Sequence, residues 1–255
     1  MIALTLTLQA SEKPSYHWGS AFHGMLMSLL PGEMAAYLHG DGQRLISQWI
    51  QPLNQNRLIW RIQLLDDDVA ATVAKAIQNV PELYVRDRRA AFPVIRADCR
   101  EAYAESLLDE AASARPRSSV TLEICTPATH KSGGRYVTLP TADMIARSLA
   151  RHVSAVWPGI IFSDDEEMER LCGCLRVGRY ALSSATYGVG GSYALGYIGR
   201  MELRFDGSEE ERRLLNALFS FAPWCGIGAK TSLGMGGCRL IAGEQGKRAS
   251  AEGPA

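Results

Sequence analysis

The stretch "GIGAKTSLGMGG", Gly226 to Gly237, decides how the chain is read. It holds five glycines and a Lys-Thr pair, a composition common in loops that cradle phosphates. A nucleotide-binding loop of the form G-x-x-x-x-G-K-[ST] follows a strand and opens a helix. Here Ala229 separates the glycine from Lys230. The flanks run the other way too: "SEEERRLLNALFSFAP" precedes the stretch as a helix, and "CRLIA" follows as a strand. Without a helix N-terminus behind it, the loop lacks the dipole that holds a triphosphate. A dinucleotide fingerprint fails on the same order of elements. The bland alternative is a glycine-rich turn whose glycines allow close backbone approach.

Working outward, the chain reads as α+β. Ile2, Leu4, Leu6 and Leu8 alternate along a first strand, and Phe22, Met25, Leu26, Leu29 and Leu30 mark a helix. Pro31–Gly32 breaks it, and a short helix follows through Met34–Leu38. Strands are expected near 45–50 and 58–64, and "DDDVAATVAKAIQNV" places acids at a helix start, where the dipole favours them. A strand near 92–99 closes the half in the order β-α-β-β-α-β, the ferredoxin-like motif. "EAYAESLLDEAASARPRSS" reads as a helix or a linker and is the best boundary candidate. The second half repeats the order in degenerate form. Val120–Cys125 is a strand, "KSGGRYVTLP" a hairpin, and Thr141 caps a helix. Strands follow at 176–184 and 193–205, and Ser208 with Glu211 forms a capping box. The expected division is residues 1–115, residues 118–243 with the glycine-rich loop, and a disordered tail at 244–255.

The chain has 255 residues, with 27 basic and 27 acidic side chains. A zero net charge gives no global field for polyanions, so a nucleic-acid site has to be a local cluster. Six scattered cysteines show no zinc spacing and no CxxC pair. The N-terminus has no basic segment of the kind that opens a signal peptide, and no apolar run reaches membrane length. A reduced cytoplasmic setting with mostly buried thiols is the expectation.

"YALGYIGRMELRF", the capped helix and then the glycine stretch together resemble the end of the CRISPR-associated endoribonucleases that cut repeat RNA. These belong to the repeat-associated mysterious protein (RAMP) superfamily, with tandem ferredoxin-like domains. Gly226 to Gly236 matches the family form G-x-G-x-K-[TNS]-S-x-G-[FM]-G throughout. "TLEICTPATHKSGGRYVTLPTADMIARSLARHV" looks like the start of the family's second domain. "FHGMLMSLLPGEMAAYLHG" looks like its segment of helix, break and short helix ending in "LH". The resemblance covers roughly residues 1 to 242.

The resemblance implies a catalytic His39. The helper on the preceding helix, often Tyr in the family, falls most plausibly at His23, with Tyr16 and Tyr37 as alternatives. The family's following Lys falls nearest Arg44. It also implies CRISPR repeat RNA as partner, a stem-loop or short hairpin, and no metal or other cofactor. Association with other CRISPR effector subunits and homodimerisation stay open, as does a non-catalytic RNA-binding role in an effector complex. The residue types suit cleavage by the ribose 2′-OH: two histidines can supply base and acid, and an arginine fork fits the phosphate. Read alone, His23 beside an apolar stripe is also a packed histidine, and His39 at a helix end is also a dipole partner. His17, His130 and His152 have weaker claims.

Local basic clusters supply candidate RNA contacts. Arg147 and Arg151 lie one helical turn apart, Arg176 and Arg179 share a strand, and "RDRR" spans Arg86 to Arg89. In the loop, Gly226, Gly228 and Gly234 bring backbone N–H groups close to Lys230, Thr231 and Ser232, a nest-like anion site. On this reading the chemistry sits at "LHG" and the loop serves packing and backbone contact.

Overall fold

A computed structural model describes residues 1–40, 45–77 and 79–241. Arg44 and the expected tail at 244–255 lie outside the described residues. The first half runs β1 (Ile2–Gln9), α1 (Gly19–Leu29), α2 (Gly32–His39), β2 (Ile46–Pro52), β3 (Arg57–Leu64), α3 (Asp67–Ile77), β4 (Glu82–Val85) and β5 (Ala90–Glu101). Its sheet is ordered β2-β3-β1-β5-β4 and every pairing is antiparallel. Strand β1 sits inside it, and Leu4, Leu6 and Leu8 turn into the core as their alternation predicts.

Helix α4 (Ala104–Ser113) settles the ambiguous segment as a helix. It packs against the helix at Glu209–Ser220 in the second half. There follow β6 (Ser119–Ala128), the small hairpin β7 (His130–Ser132) and β8 (Arg135–Val137), α5 (Ala142–Val156) and α6 (Asp165–Gly173). Then come β9 (Leu175–Val189), β10 (Ser192–Phe205), α7 (Glu209–Ser220), α8 (Ala222–Cys225) and β11 (Cys238–Ile241). The second sheet is ordered β11-β6-β10-β9. Counted along each half with β4 set aside, both sheets place the fourth strand beside the first, then the third, then the second.

Local signals set the helix starts. Thr141 Oγ1 accepts the Met144 N–H at 3.2 Å, and the Ser208–Glu211 box is closed in both directions. Each sheet then buries its own apolar cluster. One gathers Leu6, Phe22, Trp60 and Phe92; the other gathers Leu122, Leu149, Leu203 and Phe219, with Met1 and Leu65 reaching in. The aromatic rings of the first pack edge to face, with Phe22 5.2 Å from Trp60 and 5.0 Å from Phe92.

The clusters meet along β2. Ser47 Oγ donates to the Trp224 carbonyl at 2.9 Å. Two of the six cysteines, Cys225 and Cys238, are buried, and Cys99 is exposed, so the thiols are less buried than expected. Burial pushes the Cys125 thiol up to about 11 and that of Cys172 to about 12, away from nucleophilic character. No helix among the described residues is long and apolar enough to cross a membrane.

Candidate active site

The site grows from the first connection of the first sheet. Helix α1 carries His23 on its buried face beside Phe22. Leu30 leaves the helix in an extended conformation, Pro31 opens α2, and α2 returns the chain so that His39 ends it. The two rings meet edge to face with centroids 5.4 Å apart. They stand sixteen positions apart in sequence, and the helix break brings them together.

Their environments differ. His39 is exposed at its helix end. His23 is 5% exposed, and burial together with the neighbouring His39 charge lowers its pKa to about 4. The imidazole is therefore neutral at pH 7. A hydrogen bond to the Ser232 backbone opposes that shift, while Nδ1 has no hydrogen-bond partner among the described residues.

That contact brings the glycine-rich loop into the site. The loop leaves α8, makes one turn of 3-10 helix over Thr231–Leu233, and enters β11. It lies across the start of α1. A Cβ at Gly19 would overlap the Tyr187 hydroxyl and stand 2.8 Å from the Leu233 carbonyl oxygen. Gly234 has φ +102°, and its added Cβ would meet the same hydroxyl. The Tyr187 hydroxyl donates to Leu233 O at 2.9 Å.

Gln48 ties the junction from below. Its amide donates to Gly19 O at 2.9 Å and Ser232 O at 3.0 Å, and its oxygen accepts from Trp60 Nε1 at 2.8 Å. The separation of some 190 residues between loop and "LHG" is closed by the fold.

The anticipated nest of free loop N–H groups is corrected by the structure. The N–H groups of Gly226, Ile227, Gly228, Ala229 and those from Leu233 through Gly237 donate to protein acceptors, among them Thr129 O at 2.7 Å and Ser148 Oγ at 2.7 Å. A loop buried between two half-domains has to pair its backbone internally. Thr231 and Ser232 are buried as well. Lys230 stands in a left-handed conformation with its ammonium 5.8 Å from the Tyr136 ring centroid.

The arginines are dispersed. Arg147 is ion-paired with Asp143 at 2.8 Å and with Glu169, while Arg151, one turn on, lines a cavity beside the loop. Arg176 pairs with Asp206, and Arg179 is exposed on the same strand. Arg88 pairs with Glu12 and lies over Trp18. Tyr16 turns toward β9, its hydroxyl 3.4 Å from Thr186 O, and Tyr37 is half exposed on α2. His17 accepts the Gly188 N–H through Nδ1 at 3.1 Å. Among the described residues no group of three or more His, Cys, Asp or Glu is placed to hold a metal.

Sequence reading missed Gln48, Ser47, Gly19 and Tyr187. The available signal was a polar Ser-Gln pair inside the otherwise apolar strand "LISQWI". Buried polar groups in a core strand have to be bonded to something across an interface.

Comparison with known proteins points to an endoribonuclease. Residues 122–238 match the family described as CRISPR-associated endoribonuclease Cas6. A Streptococcus thermophilus protein of that name is 24% identical over 240 residues, covering 94% of this chain and 98% of the relative. A solved Cas6 product complex superposes with a TM-score of 0.77 at 26% identity, covering 94% of this chain and 99% of the other. A Cas6 substrate mimic complex superposes with a TM-score of 0.71 at 20% identity, covering 94% and 100%. Along most of its length the chain is similar to Cas6 proteins.

Proposed function

We propose that this chain processes CRISPR precursor RNA by cutting within its repeats, without a metal ion. The observation that carries the reading is the His23–His39 pair, 5.4 Å between centroids, beneath the glycine-rich loop. The ribose 2′-OH attacks the adjacent phosphorus, and its proton passes to a histidine. The bond from phosphorus to the 5′-oxygen breaks, and that oxygen takes a proton from the other side of the pair. The products are a 2′,3′-cyclic phosphate and a 5′-OH. His39, exposed, is the principal proton-transfer group. His23, kept neutral by burial and oriented by Ser232, is the second and is suited to accept a proton. Arg44 is the proposed phosphate stabiliser.

The names of the relatives support RNA as the partner. We read the two sheets as tandem ferredoxin-like units, the first within residues 1–115 and the second within 118–243. By packing, α4 goes with the second unit. The proposed setting is the reduced cytoplasm.

The test is to mix the protein with repeat RNA in EDTA, with and without a 2′-deoxy sugar at the cut site. Cleavage of the unmodified RNA alone is expected. Cleavage of the deoxy RNA would refute the mechanism. The burial of His23 favours one alternative, a non-catalytic RNA-binding subunit, and binding without cleavage of either RNA would select it.

A further inference from the structure

Strand β2 carries two polar residues in its middle, Ser47 and Gln48, and both are buried. Strand alternation sends them to opposite faces. Ser47 reaches Gln63 and Trp224 on one side, and Gln48 reaches the start of α1 on the other. Gln48 is 1% exposed, so its polar atoms need partners inside the protein.

Those partners dictate which way the amide faces. Trp60 Nε1 is a donor only, so the atom 2.8 Å from it is the Gln48 oxygen. The carbonyls of Gly19 and Ser232 are acceptors only, so the amide nitrogen faces both, at 2.9 and 3.0 Å. One N–H is thus spent on α1 and one on the glycine-rich loop, whose 3-10 turn packs against both β2 and α1.

The Ser232 backbone also meets His23. That bond favours the charged ring, as an acceptor does, so the group that His23 meets is the carbonyl. A carbonyl oxygen has two lone pairs and no proton. It can take one N–H from Gln48 and one from His23. The ring nitrogen facing it therefore carries the proton. Burial keeps the imidazole neutral at pH 7, so the other nitrogen carries the lone pair.

We propose that Gln48 is a positioning residue for His23. By holding the Ser232 carbonyl over α1, it fixes the tautomer that leaves a lone pair for the ribose 2′-OH proton. The bearing on cleavage rests on the proposed function; the coupling of Gln48 to the His23 tautomer does not.

The test uses the full chain and two variants. Gln48→Met keeps the length of the side chain and removes its donors. Ile50→Ala, two positions along the same face of β2, loosens the same core and removes packing alone. Ring ¹⁵N NMR at pH 7 reads the His23 tautomer. Single-turnover cleavage at saturating repeat RNA and affinity for uncleavable 2′-deoxy RNA are measured separately.

One His23 tautomer is expected in the wild type and in Ile50→Ala, and a mixture in Gln48→Met. Cleavage by Gln48→Met should fall roughly 10- to 100-fold, as when a supporting partner of a reacting group is lost. Its RNA affinity should stay within about threefold, so the loss lies in the chemical step. A tautomer mixture already in the wild type would overturn the proposal without any variant. If Gln48→Met does not fold, the wild type decides through the scalar coupling between Gln48 Nε2 and the Ser232 carbonyl carbon, whose absence would overturn it. So would a folded Gln48→Met that keeps one tautomer or the full rate, or an equal loss of rate in Ile50→Ala. A wild type that binds RNA and cuts nothing, with the tautomer still set by Gln48, would sink the enzymatic reading and leave the coupling standing.

Discussion

The two sheets share one strand order and differ in what joins the strands. In the first half, the connection after β1 is two helices with a break, and the break brings His23 against His39. In the second half, the corresponding connection inserts the β7–β8 hairpin before α5 and walls the cavity beside the loop. The second connections differ more. Helix α3 returns to the first sheet with a short strand, whereas α7 and α8 lead into a glycine-rich loop that crosses to α1. The repeated part is the scaffold, and the departures from the repeat carry the proposed site. A composite site follows: the first half supplies the histidines and the second supplies the cover.

The largest effect should come from the exposed member of the pair. His39→Ala is expected to slow single-turnover cleavage by about 10²- to 10⁴-fold while RNA binding persists. An unchanged rate would remove His39 from the site.

The buried histidines should make the fold acid-sensitive. His23 and His130 titrate near 4 in the folded chain and near 6.5 when unfolded. The unfolded chain therefore binds protons more readily. Their contribution is fully present above about pH 6.5 and is lost as pH falls through 6.5 toward 4. At about 1.4 kcal/mol per pKa unit, each contributes roughly 3 kcal/mol. Denaturant unfolding from pH 7.5 to 4.5 should show the decline, and His130→Gln should flatten it. A stability independent of pH over that window would contradict the burial of both rings.

Next comes the tie between halves. Gln48→Leu leaves the Trp60 indole N–H and the carbonyls of Gly19 and Ser232 without their partner. The expected loss is about 2–4 kcal/mol in urea unfolding, with a fall in cleavage rate as the loop loosens over α1. A stability change with full cleavage activity would show that the loop's position does not matter to the pair. The smallest effect belongs to the rim. Arg176→Ala removes an exposed pair with Asp206 and should change stability by less than about 1 kcal/mol.

Much of the scaffold was legible from local signals. The alternation in β1, the break at Pro31–Gly32, the Thr141 cap and the Ser208–Glu211 box act over a few residues and read directly. The His23–His39 pair came only from the family resemblance, and the helix turn-back then brings the two rings together. The loop's place was not legible. Its glycines signal close approach, but nothing local says that the partner is Gly19, over two hundred positions away in sequence. The setting of the arginines at 147 and 151 was not legible for a related reason. Periodicity put both on one face, but Arg147 met Asp143 and Glu169 there, acids that spacing does not weigh.

The claim that the loop of one half closes over the histidines of the other is tested most directly by the titration of His23. Ring NMR on the full chain, across pH 3.5 to 8, should place its midpoint near 4, where burial beneath the loop holds it. A midpoint near 6.5 would mean a hydrated ring, an open loop and no composite site.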